Sequence, residues 1–253
     1  MVAMHSADDL IAEAAVADVG GWGFAYLDGR ATEERPSWGY AGLLADAVAS
    51  TEVAIDLDTG GGEVLGRCPR LAARQHVTEA WPPNAAKVRD LLGPRGVTVH
   101  EIAPGAPIPL PDGTADLVTS RHPVQPDWSE IARVLAPGGE YLAQHVGPAS
   151  AFELIEHFIG PTTAQQRRGR HPDDETAEAR AAGLEVVDFR TARLRMEFFD
   201  VGAVVWTLRK CVWWVPDFAV DRYRDRLRAM DEIIRRDGSF VAHSTRHLIR
   251  ARR

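Results

Sequence analysis

Three glycines, Gly60, Gly61 and Gly62, follow the apolar run Val53-Ala54-Ile55-Asp56-Leu57 after only Asp58 and Thr59. A glycine has no Cβ and adopts positive φ without penalty, so such a turn lets backbone approach a ligand closely. An acidic residue, Glu79, ends the next strand-like run, His76-Val77-Thr78-Glu79, about twenty positions further on, where a carboxylate can accept hydrogen bonds from a ribose diol. This spacing points to a nucleoside-containing cofactor. Two histidines sit at the ends of later strand-like runs: His122 after Thr119-Ser120-Arg121, and His145 after Ala143-Gln144. A histidine beyond a strand end serves either as a base near neutral pH or as a hydrogen-bonding and packing group. Arg121 is suited to pairing with a carboxylate on cofactor or substrate, or to facing solvent.

The elements that must position these residues alternate. Strands are expected at 53–58, 76–80, 97–102, 115–120, 140–146, 184–199 and 239–251. Helices are expected at 7–17, 39–50, 62–73, 84–92, 127–135, 149–159 and 174–182. Asp127 reads as a helix start and Pro137-Gly138-Gly139 as its stop. Strand-helix alternation from residue 53 onward predicts a largely parallel sheet covered on both faces. Residues 201–236 interrupt it with an apolar helix and a charged amphipathic helix, Val220 to Arg235. The expected organisation is one domain: a helical N-terminal cap over 1–50, which includes Gly20-Gly21-Trp22-Gly23, a cofactor-binding core over 51–200, a helical insertion over 201–236 and a final strand over 237–253.

The chain has 253 residues, 45% of them hydrophobic and 26% charged, enough to bury a full core. Its formal charge of -7 argues against a nucleic-acid partner. Only Lys87 and Lys210 are lysines, and the other basic residues are arginines. Cys68 and Cys211 form no metal or redox motif, and no metal site is expected. No secretory leader is visible, and the apolar stretch from Val201 to Val215 is broken by Arg209 and Lys210. A cytoplasmic protein without membrane association, monomeric or homodimeric, is expected.

Two further segments narrow the class: Leu110-Pro111-Asp112-Gly113-Thr114-Ala115-Asp116-Leu117-Val118 and Glu130-Ile131-Ala132-Arg133-Val134-Leu135-Ala136-Pro137-Gly138-Gly139. With the glycine turn, they resemble the class I S-adenosylmethionine-dependent methyltransferases, in the branch similar to ubiquinone-biosynthesis methyltransferases. The resemblance covers roughly residues 40 to 147. It implies an α/β, Rossmann-like, doubly wound sheet of seven strands, mostly parallel with an antiparallel last strand, plus a helical lid insertion. It also implies S-adenosyl-L-methionine as cofactor, with S-adenosyl-L-homocysteine as product. Asp56, Gly60 and Gly62 match the family's first motif, but Asp58 stands where its first glycine is expected. Asp58 either reaches toward the methionine ammonium or caps the following helix; a weakened, regulatory site is the third reading. Glu79 matches the ribose-binding acid, with Ala80 and Trp81 beside the adenine; Trp81 either stacks on that ring or packs. The family's third acid is replaced near Pro104, which leaves adenine to backbone groups.

The expected activity is in-line methyl transfer to an N-, O- or C-nucleophile of a small molecule, with a heteroaromatic or phenolic metabolite in view, and with His122 and His145 as catalytic candidates. Trp38, Tyr40, Trp206 and Trp213 are the candidate substrate contacts. The aromatic-rich insertion has three readings: core packing, a pocket wall, or a dimer surface. RNA or protein methylation, a non-catalytic cofactor-binding regulator and a nicotinamide oxidoreductase are the rival functions.

Overall fold

The computed structural model describes residues 5–21 and 23–253, so Trp22 lies outside the described residues. In chain order the elements are α1 (Ala7–Val16), β1 (Ala31–Glu33), α2 (Tyr40–Ala49), β2 (Val53–Leu57), α3 (Glu63–Gly66), β3 (Arg74–Glu79), α4 (Pro82–Leu92) and β4 (Thr98–Glu101). They continue with β5 (Ala115–Arg121), α5 (Trp128–Val134), β6 (Leu135–Val146), α6 (Phe152–Ile159), α7 (Ala164–Arg168), α8 (Pro172–Ala181), β7 (Glu185–Phe198), α9 (Val201–Lys210), α10 (Arg224–Asp237) and β8 (Phe240–Arg252). The chain divides into two compact units. One holds residues up to 35 with 149–169 and 193–245; the other holds 36–148, 170–192 and 246–253.

The strands form an eight-stranded sheet in the order β1-β7-β8-β6-β5-β2-β3-β4. From β6 to β4 every pairing is parallel, and β8 runs antiparallel to β6. All seven expected strands form. The eighth, β1, has three residues and pairs antiparallel with β7. A run that short carries no periodicity to read, which is why the sequence suggests seven.

The chain leaves β2 for β3 and β4 on one side and returns to β5 on the other. This makes β2 and β5 neighbours at the point where the winding reverses. Strand β2 is buried on both faces because helices cover both. Ile55 packs with Val118, Ile131 and Tyr141 on one side, and Ala54 with Leu44, Val77 and Leu248 on the other.

Two local expectations fail for identifiable reasons. Helix α3 stops at Gly66 instead of reaching 73, because Pro69 forbids the preceding residues a helical continuation. Pro137-Gly138-Gly139 does not stop a helix; α5 already ends at Val134, and β6 begins at Leu135. The segment is instead an irregularity in β6. Leu135 pairs with Ala115, but the next pair is Glu140 with Leu117. A Cβ at Gly139 would lie 2.9 Å from the Ala115 carbonyl oxygen, so the close approach requires glycine. The helix-start reading holds: Asp127 caps α5 by accepting from the Glu130 N–H at 3.0 Å.

In its own unit, α9 is buried from Val201 to Leu208, and its last turn serves α1. Arg209 donates to the carbonyls of Ala14 and Ala17, which the end of α1 leaves without helical partners. Trp206 stacks on Tyr26 and donates its indole N–H to the Asp18 carbonyl.

On the sheet, α8 is fastened by one carboxylate. Glu175 accepts from Nδ1 of both His145 in β6 and His247 in β8, each at 3.3 Å, and all three residues are buried. Burial alone would push the Glu175 carboxyl up, but the two histidine hydrogen bonds outweigh it and hold it at about 2. Its folded value lies below the ordinary 4.5. The stability it adds is therefore complete above about pH 4.5 and is lost as pH falls toward 2. Glu175→Leu should destabilise the protein by about 3 kcal/mol at pH 7, since it strands two buried N–H donors. Urea unfolding at pH 7 and pH 3 should show the gap between wild type and variant shrinking at the lower pH.

Candidate cofactor and acceptor site

Beyond the carboxyl end of β2 the backbone turns through three left-handed residues: Asp58 at φ 52°, Gly60 at 65° and Gly62 at 79°. The end of β3 holds this turn. Asp58 N donates to Thr78 Oγ1 at 3.0 Å, and Thr59 N to the Thr78 carbonyl at 3.0 Å. The Glu79 carboxylate bridges the turn: Oε2 accepts from Gly60 N and Oε1 from Trp81 N, both at 2.8 Å. Gly62 is required twice over, by its φ and by Val88, whose Cγ2 would lie 2.7 Å from an added Cβ.

Asp58 therefore sits in a left-handed conformation, which an aspartate tolerates better than most residues. Its side chain caps nothing among the described residues, because α3 begins from Gly62 without a side-chain cap. Burial raises its carboxyl above the ordinary value.

Below the turn, Asp56 is buried and accepts from Thr119 Oγ1 of β5 at 2.6 Å. Burial pushes its carboxyl up to about 6, against the partial relief of that hydrogen bond. Tyr40, at the start of α2, donates its hydroxyl to the Ser120 carbonyl at 3.0 Å and is itself buried. It thus braces the end of β5 and offers a ligand almost no surface.

At the ends of β5 and β6 the donors can be assigned without seeing hydrogens. The Trp38 indole can only donate, so Gln144 Oε1, 2.9 Å away, is the acceptor. The Gln144 amide nitrogen then faces His122 Nε2 at 3.0 Å and donates to it. His122 is thereby the neutral tautomer with its proton on Nδ1. Burial, then the positive charges of Arg121, Arg246 and Arg170, hold its pKa down at about 2. His122 also sits at φ 61°, with its backbone N–H on the Gln144 carbonyl at 2.7 Å. Its Nε2 lone pair is engaged by the Gln144 amide, and its Nδ1–H is the donor the ring presents. Of the two roles expected for His122, base or hydrogen-bonding group, the geometry places it in a hydrogen-bonded set.

His145 takes the hydrogen-bonding and packing role. It turns to the opposite face, with Tyr141 Oη on Nε2 at 2.9 Å and Glu175 on Nδ1, and is 2% exposed. The two histidines do not form a catalytic pair. Trp206, also 2% exposed, belongs to the core of its own unit, which decides its role for packing. Trp213 is 59% exposed. Ala80 and Trp81 follow Glu79 directly, and Trp81 presents nearly half its surface. Pro104 is exposed in the loop after β4, and Arg121 is the last residue of β5.

Gln144, Thr78 and Thr119 carry hydrogen bonds of the site and are missed by the sequence reading. Their only sequence signal is a polar side chain within two residues of a strand end.

No protein-family model and no curated protein matches the sequence. Solved structures do match. A Deinococcus radiodurans R1 protein of unknown function superposes with TM-score 0.60 at 14% identity, over 88% of this chain and 90% of its own. A Bacillus halodurans C-125 protein provisionally assigned as a methyltransferase gives 0.56 at 15%, over 84% and 97%. An S-adenosylmethionine-dependent methyltransferase of Mesorhizobium loti gives 0.51 at 14%, over 85% and 98%. The fold is that of the S-adenosylmethionine-dependent methyltransferases. In this methyltransferase fold the glycine turn and Glu79 stand at the carboxyl end of β2 and β3, where open α/β sheets bind ligands.

Two substitutions test the turn. Asp58→Gly should raise stability by up to about 1 kcal/mol by relieving the left-handed residue; thermal unfolding reads it. The raised Asp56 carboxyl is a cost that is absent below about pH 3.8, grows as pH rises, and is complete above about 6. Asp56→Asn should therefore gain roughly 2–3 kcal/mol on wild type between pH 4 and pH 8 in chemical denaturation.

Proposed function

We propose that this protein transfers a methyl group from S-adenosyl-L-methionine to a small-molecule acceptor. The observation that carries the reading is Glu79, fixed at the end of β3 across the glycine turn. Each of its oxygens accepts one backbone N–H and retains a second lone pair for a ribose hydroxyl. Trp81 supplies a half-exposed aromatic face two residues on, suited to an adenine ring. Pro104, in the loop after β4, is assigned with Ala80 to the adenine edge. Gly60 and Gly62 keep the turn free of side chains. Asp58, exposed and in the family's glycine position, is assigned to the methionine ammonium.

The sulfonium methyl that S-adenosyl-L-methionine supplies is already activated, so the protein's task is to orient the acceptor and exclude water. Nothing in that task requires a histidine base. His122, Gln144 and Trp38 form a linked set of hydrogen bonds that orients whatever approaches from the end of β5. The acceptor is proposed to be a heteroaromatic or phenolic metabolite, and a soluble cytoplasmic enzyme, monomeric or homodimeric, fits the reading. The rival with a specific observation behind it is a cofactor-binding regulator, because Asp58 departs from the family pattern at the turn itself.

Calorimetry with S-adenosylhomocysteine decides the cofactor. Saturable binding is expected, weakened on the order of tenfold by Glu79→Ala through loss of charged hydrogen bonds. No binding would sink the reading, and unchanged affinity in the variant would remove Glu79 from the ribose. Trp81→Ala gives a second variant that leaves the turn's hydrogen bonds in place.

A further inference from the structure

Strand register brings two arginines to one end of the sheet, and a third joins them from the segment before α8. Arg121 closes β5 and pairs with Gln144 of β6; two residues on, Val146 pairs with Arg246 of β8. Directly paired residues and residues two apart share a face, so Arg121, Gln144 and Arg246 project from the same side. The intervening pair, His145 with His247, projects from the other side onto Glu175. Arg170 arrives from the segment before α8 and donates to the carbonyl of Val124, two residues beyond His122. His122 sits among them and presents its Nδ1–H, because Gln144 occupies Nε2.

Three of the groups gathered there carry permanent positive charge; the carboxylate of Asp56, on the same face and within electrostatic reach of Arg121, is buried and pushed up to about 6. This local excess stands out on a chain of net charge -7. A guanidinium has five N–H donors, so an arginine already bonded to the protein can still hold a carboxylate or phosphate oxygen. A neutral acceptor would gain little from such a set, while an anion would be bound by charge-assisted hydrogen bonds.

We propose that Arg121, Arg170, Arg246 and the Nδ1–H of His122 form a recognition site for an anionic group, carboxylate or phosphate, carried by the methyl acceptor. The site lies at the end of β5, beside the turn assigned to the cofactor, and its assignment to the acceptor rests on the methyl-transfer reading above. It narrows the substrate class from small molecules in general to acids and phosphate esters. The cation cluster anchors the acceptor by a group other than its nucleophile, which leaves the nucleophile free to meet the methyl group.

Calorimetric titrations with benzoate, its neutral analogue benzamide and inorganic phosphate, each with and without saturating S-adenosylhomocysteine, test the site. Benzoate or phosphate should bind at least about tenfold more tightly than benzamide, as expected for charged hydrogen bonds. That preference should weaken as salt is raised. Arg121→Gln and Arg246→Gln should each cost the anion on the order of tenfold in affinity. The His122 Nδ1–H resonance should shift on titration, a reading that needs no variant. Equal binding of benzoate and benzamide, or no anion binding at all, would overturn the proposal. So would displacement of the anion by S-adenosylhomocysteine, which would hand the arginines to the cofactor's own carboxylate. Anion binding without any S-adenosylhomocysteine binding would sink the methyl-transfer reading and leave the anion site standing.

Discussion

Gln144 and His145 are neighbours in β6, and strand geometry sends their side chains to opposite faces of the sheet. Much of the molecule's division of labour follows from that alternation. On one face, Gln144 joins Trp38 to His122 and fixes which nitrogen of the ring carries the proton. On the other, His145 joins Glu175 and, through it, His247, so that α8 is held against two strands by one carboxylate. A one-residue slip in the pairing of β6 would exchange these roles and put a glutamine where the buried carboxylate needs a histidine.

The two segments behind the sequence resemblance act at the start of β5. Arg133 of the second segment pairs with Glu130 and with Asp112 of the first, and donates to the carbonyls of Ile108 and Leu110. The hydrogen bonds of Gly113 and Thr114 to Arg133 and Val134 complete this brace at the start of β5. The resemblance therefore reports how the sheet is held together. The chemistry is carried by fewer and less distinctive residues.

That contrast explains what could be read in advance. Gly60, Gly62 and Glu79 were legible because their roles are local: left-handed torsions and the end of one strand. Strands β2, β5 and β6 were legible because they carry buried, largely apolar runs of several residues, whereas three-residue β1 has no such run. The Pro-Gly-Gly segment looked like a helix stop because its glycine is demanded by the Ala115 carbonyl of another strand, a contact without any local trace. The choice between the two roles of each histidine was not legible for the same reason. Sequence put both at strand ends, but their partners come from α8, β8 and β6, and those partners determine whether a ring is a base, a donor or a tie.

The bridge made by Glu79 has one more consequence. A flexible glutamate at the mouth of a site would have to surrender its rotamer freedom whenever a ligand arrived, at a cost of about 1–2 kcal/mol. Here two backbone amides from different loops have already immobilised it. That entropy is lost during folding, so a ligand bound by this carboxylate would find it preorganised. The converse is that Gly60 and Trp81 become mechanically linked through a single side chain. Movement of the glycine turn would therefore be passed directly to the backbone at Trp81.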